Sequence, residues 1–81
     1  MAVSIKFLGM QRAITNTDSI DMAINGKATV NEALEYVRQR YPTLPLDQGT
    51  ILIIVNLKID SPDRVLRDND TVSFLPTIGG G

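Results

Sequence analysis

Residues 29–42, TVNEALEYVRQRYP, decide the fold class of this chain. Thr29 and Glu32 stand at capping-box spacing, in which the threonine hydroxyl accepts from the Glu32 backbone N–H and the glutamate reaches back. Val30, Ala33, Leu34, Val37 and Tyr41 then fall at i, i+3, i+4, i+7 and i+11, one continuous apolar stripe of helical period. Arg38 and Arg40 lie in the last turn, where positive charge suits the helix dipole. Pro42 disfavours helical geometry at Tyr41 and ends the element. An amphipathic helix needs an apolar surface to cover, and the flanking segments supply one as strands.

Upstream, residues 3–7 alternate, with Val3, Ile5 and Phe7 on one face and Ser4 and Lys6 on the other. Leu8 and Gly9 end that strand. A polar stretch, residues 11–19, reads as a loop leading to a second alternation of Ile20, Met22 and Ile24, so the two segments form an N-terminal hairpin. Asn25-Gly26 is a turn signal just before the helix. Downstream, a loop with two prolines over residues 42–49 leads to Ile51-Leu52-Ile53-Ile54-Val55, apolar at every position and too short for a helix. That pattern predicts a central strand buried on both faces. Val65 and Leu66 suit a short strand, and residues 71–75 form the last one, with Val72 and Phe74 pointing to the core until Pro76 stops the ladder. One helix on four or five strands is a two-layer α+β domain.

Eighty-one residues allow one modest core and no second domain. Net charge is −1, with no run of Lys or Arg, so the footprint expected for nucleic acid or an anionic membrane is absent and the partner is expected to be a protein. Without cysteine or histidine, disulfides, thiolate chemistry, the usual zinc ligands and the commonest neutral-pH acid/base are all excluded. The apolar part of MAVSIKFLGM is too short for a signal peptide, and no stretch reaches membrane-spanning length, so the chain reads as soluble and cytoplasmic.

Asp60, Asp63, Asp68 and Asp70 make an oxygen-rich group in sequence, but the glycine and glutamate of a calcium loop do not fall at the required offsets. These aspartates read as solvated turn residues, with no metal site. Gly79, Gly80 and Gly81 are not a phosphate loop, because no helix follows them. Alternation gives Phe7 and Phe74 to the core and turns Leu8 and Leu75 the other way, towards solvent or a partner.

The glycines follow directly on a core strand and a proline. One reading is a frayed terminus or an inert tail on a binding module. The other is delivery: residues without a Cβ let backbone enter a channel too narrow for other side chains, and they leave the Gly81 carboxylate unhindered. A carboxylate is a poor electrophile and needs activation, typically as a mixed anhydride with AMP formed by an ATP-using partner. The activated acyl group then accepts sulfur or an amine. The chain is in that case a substrate and carrier with no catalytic side chains of its own, and fold and tail divide it into residues 1–76 and a flexible tail at 77–81.

Over its whole length the sequence resembles the small subunit of molybdopterin synthase, a ubiquitin-related sulfur carrier with the β-grasp fold. The resemblance rests on the opening strand with Phe7 and the following Arg12, the capped helix from Thr29, Val55-Asn56, the segment LRDNDTVSFLP at residues 66–76, and Gly80-Gly81. It departs from the family in Thr77, where a second proline is usual, and in Asn69, where glycine is usual. The resemblance implies that an E1-like adenylating enzyme activates Gly81 with ATP and that a sulfur donor protein converts it to a thiocarboxylate. The tail, from Thr77 and Ile78 through Gly79 and Gly80, then inserts into the large synthase subunit. The resemblance implies no permanently bound cofactor. It also implies that Phe7, Ile59, Leu75 and Pro76 dock partners; for Phe7 this competes with the core reading. Related carriers serve thiamine, cysteine or tRNA thiolation, and others are conjugated to proteins as ubiquitin-like modifiers.

Overall fold

The computed structural model describes residues 1–46 and 51–76, and the calls on Thr77, Ile78, Gly79, Gly80 and Gly81 lie outside the described residues. Along the chain run β1 (Ala2–Lys6), α1 (Met10–Thr15), β2 (Ser19–Ala23), β3 (Lys27–Thr29), α2 (Val30–Arg40), β4 (Ile51–Val55), β5 (Lys58–Asp60), β6 (Val65–Arg67) and β7 (Thr71–Pro76). Five strands form a mixed sheet in the order β2-β1-β7-β4-β5, and β3 pairs with β6 in a separate ribbon. β1 and β7 are parallel, while the other three pairings of the main sheet are antiparallel. The expected N-terminal hairpin is present, with Val3 opposite Met22 and Ile5 opposite Ile20.

α2 starts as its sequence dictates: the Thr29 hydroxyl accepts from the Glu32 N–H at 3.2 Å. It ends at Tyr41, whose φ of −131° and ψ of 72° have left the helix one residue before Pro42. Val30, Ala33, Leu34 and Val37 are buried against Val3, Ile5, Ile53, Val55, Val72 and Phe74. Phe7 closes the core edge-on to the Tyr41 ring, with centroids 5.6 Å apart.

Two expectations need correction, and the loop after α2 adds to the core. The stretch after Gly9 is not a plain loop, since it contains α1, which buries Gln11 and Thr15. The segment after α2 is more than a connector, because Leu44 and Leu46 enter the core and the Leu46 carbonyl accepts from the Arg38 guanidinium. β4 is neither the central strand nor buried on both faces. β7 holds the centre, and Leu52 of β4 is exposed while Ile54 is half-buried.

The turns are built by their polar side chains. Asn69, with φ 72°, takes the left-handed geometry its short amide tolerates, and its N–H donates to the Ala2 carbonyl. The Asp68 carboxylate accepts from the Ala2 N–H, tying the start of β1 to the β6–β7 turn. Asn56 joins that turn to the β4–β5 turn. Its amide donates to Asp70 at 2.9 Å and accepts from the Thr71 N–H at 3.0 Å.

Candidate functional site: the open face of the sheet

Because α2 covers one face of the sheet, every second residue of β4 and β7 points away from the core. Register assembles them. Leu52 stands opposite Leu75, and Ile54 lies between Ser73 on β7 and Ile59 on β5. Ile59 and Leu75, expected from the resemblance to dock partners, are therefore on one face, with Leu52 and Ile54 between them. Ile59 is 72% exposed. Leu52 and Ile54 were expected inside, because an unbroken apolar run carries no mark of which face is open.

Phe7 does not belong to this surface. It is 3% exposed and packs with the core, which decides the competition between its two readings. Its neighbour Leu8 is exposed instead and joins Ile54, Leu57 and Lys6 around an open groove of about 510 Å³. A second groove of about 380 Å³ runs from Leu8, Met10 and Ile14 to Leu75 and Pro45, beside the end of β7. Backbone pairing of Pro76 with Ile51 carries β7 to the last described residue.

Leu57 was not singled out in the sequence. It is 96% exposed at the tip of the β4–β5 turn, with φ 73° following Asn56 at φ 50°. Two successive positive φ values are the requirement of a tight hairpin turn that favours Asn-Gly. A leucine at the second position is strained there.

Polar groups around the face are engaged in structure. Asp60 accepts from the Ser61 N–H and pairs with Arg64 at 2.6 Å; the Ser61 bond, then Arg64, hold its carboxyl below the ordinary value. Asp70 is lowered chiefly by the Asn56 amide and then by the Arg67 N–H. Asp60, Asp68 and Asp70 thus serve as turn acceptors. Among the described residues no three acidic groups come together as a metal site. Nor is any described helix long and apolar enough to cross a membrane.

A mixed five-stranded sheet with parallel β1 and β7, gripping one main helix, defines a ubiquitin-like β-grasp protein. The chain belongs to the ThiS family, which matches residues 5–81. Its fold is similar to that of small archaeal modifier protein 1 from Methanosarcina acetivorans, with a TM-score of 0.77 at 22% identity over 99% of this chain and 96% of that one. Urm1 from Trypanosoma brucei gives 0.73 at 25% identity over 99% and 95%. Subunit 1 of the Helicobacter pylori molybdopterin-converting factor, solved in complex with subunit 2, gives 0.63 at 26% over the whole of both chains. No curated protein matches the chain by sequence. The architecture is therefore that of the ubiquitin-like sulfur carriers.

Proposed function

We propose that this protein is a sulfur carrier whose reactive atom is the carboxyl carbon of Gly81. An adenylating partner joins the Gly81 carboxylate to the α-phosphate of ATP and releases pyrophosphate. A sulfur donor protein then supplies sulfur at the oxidation level of sulfide, which displaces AMP and leaves a thiocarboxylate. Transfer of that sulfur to an acceptor, with hydrolysis of the acyl–sulfur bond, restores the carboxylate. No cofactor resides on the carrier, since ATP is consumed by the partner.

The observation that carries this reading is the family match across residues 5–81, which takes in β7 and all three glycines. Molybdopterin synthesis is the favoured destination of the sulfur. It is supported by the resemblance of residues 66–76 to the synthase small subunit and by the likeness to the Helicobacter pylori subunit, which pairs with a second subunit. The face carrying Ile59 and Leu75, extended by Leu52 and Ile54, docks the adenylating enzyme and the large synthase subunit in turn, with Pro76 leading from β7 into the tail. Thr77, Ile78, Gly79 and Gly80 are the segment that enters their channels.

Gly80→Val tests the tail directly. The variant is expected to keep the melting temperature of the parent yet form no thiocarboxylate in an extract of the source cells supplied with ATP and cysteine, because a Cβ-branched side chain blocks backbone access. A variant that unfolds, or one that reacts normally, contradicts the proposal. Conjugates of higher mass on lysines of other proteins, without sulfur transfer, assign the tail to a modifier instead.

A further inference from the structure

β1 and β7 separate before β7 is finished. The parallel ladder opens with the Ser4 N–H on the Asp70 carbonyl at 2.9 Å and runs to the pair Lys6 and Ser73. Two residues on, the next rung would join the Leu8 N–H to the Phe74 carbonyl. The chain turns away instead at Gly9, whose φ of 56° and ψ of −127° suit the first central position of a II′ turn, with the Gln11 N–H bonding back to the Leu8 carbonyl.

The Gln11 side chain fills the missing rung. Its Oε1 accepts from the Leu8 N–H at 3.2 Å, and its Nε2 donates to the Phe74 carbonyl at 2.5 Å. The two partners fix the amide's orientation, since an N–H can only donate and a carbonyl can only accept. Gln11 is 7% exposed, and its bond to the Phe74 carbonyl is buried while that to the Leu8 N–H is part-buried. On the other side, β4 holds this end of β7 through the pairs of Leu52 with Leu75 and Ile51 with Pro76. Among the described residues, Gln11 supplies the hydrogen bond to the Phe74 carbonyl from the β1 side, one step past the last backbone pair of Lys6 and Ser73.

We infer that Gln11 is a positioning residue for the reactions of the tail: its carboxamide takes the place of a strand residue and fixes the direction in which β7 delivers residues 77–81. The inference rests on the carrier reading given above. Residues 77–81 follow β7 in sequence, so a looser strand end lowers the share of docked complexes in which the carboxylate is aligned for reaction. Loss of alignment is felt in the turnover of a bound complex rather than in its formation. The docking face, made by β4, β5 and Leu75, is supplied by other residues.

The test compares the parent with Gln11→Met, which keeps the volume and loses the bridge, and with Gln11→Glu, which keeps the acceptor for Leu8 and, ionised, loses the donor for Phe74. Two readouts are taken. Amide hydrogen exchange at Leu8 is expected to be slow in the parent and roughly three- to tenfold faster in Gln11→Met, the scale of one net hydrogen bond. Thiocarboxylate formation, followed against carrier concentration in extract with ATP and cysteine, is expected to keep its apparent KM and lose about tenfold to a hundredfold in maximal rate in both variants. A folded variant with the parent's maximal rate overturns the inference, as does a loss confined to KM. If the parent itself forms no thiocarboxylate, the carrier reading fails and the positioning role falls with it. Exchange at Leu8 then still reports whether the bridge exists, so the two failures are told apart.

Discussion

The two faces of the sheet are made from the same strands and do opposite work. On β4, Ile53 and Val55 are buried under α2, while Leu52 opens to the other side and Ile54 lies half-covered. On β7, Val72 and Phe74 are in the core and Leu75 is half-buried beside Leu52. On β4 the two sets are chemically alike, all aliphatic, and the presence of a helix distinguishes them, whereas on β7 Ser73 beside Ile54 marks the open face. An apolar residue in a strand therefore reports that a face is to be covered, whether by this chain or by another.

Substitutions on each face break or sharpen this contrast. The largest effect belongs to the covered side: Leu34→Ala removes a fully buried side chain and is expected to cost about 2–5 kcal/mol in chemical denaturation, whatever it does to the tail. A milder loss of cooperativity or stability, near zero, would mean that α2 does not anchor the core.

Next comes the Asn56–Asp70 bond, which ties two turns at the sheet's edge. Asn56→Ala is expected to cost about 1 kcal/mol at neutral pH, the upper value for a bond to a charged group being discounted for exposure. Asp70 is lowered in the folded state, so its contribution is present above the unfolded value of 3.8 and is lost as pH falls below it through the folded value. The gap between parent and variant should accordingly narrow on acidification below 3.8, and a gap independent of pH would refute this role for Asp70.

Leu57→Gly runs in the opposite direction. Relief of about 1–2 kcal/mol of left-handed strain outweighs the roughly 0.5–1 kcal/mol entropic cost of glycine, leaving a net gain of about 0.5 kcal/mol in thermal unfolding. The smallest effect on stability is expected for Ile59→Asp on the open face, within about 0.5 kcal/mol of the parent. The same change should raise the apparent KM for activation by roughly fivefold or more, the scale of a docking residue that matters. An unaltered KM would take Ile59 out of the interface.

Much of this arrangement was legible in the sequence, for identifiable reasons. The cap at Thr29, the stripe on α2, the alternation of β1 and β2 and the left-handed Asn69 all follow from local rules that tertiary contacts did not override. α1 escaped notice because its inward positions are Gln11 and Thr15, so no apolar period marks it, and no side chain caps its start. β3 and β5 are three-residue strands, too short for a period to show. The open face was only half legible: alternation turned Leu8 and Leu75 outward, but the all-apolar run of β4 concealed Leu52 and Ile54, and strain at Leu57 is a property of the backbone alone.

The most direct test of the central claim is the intact mass of the protein purified from its own cells under mild conditions, beside a sample treated with an alkylating reagent that captures thiocarboxylates. The account predicts an oxygen-for-sulfur increment confined to the C-terminal peptide and an alkylated product at Gly81. An unmodified Gly81 in both samples, unchanged after addition of ATP and cell extract, would contradict it and leave a β-grasp binding module with an inert tail.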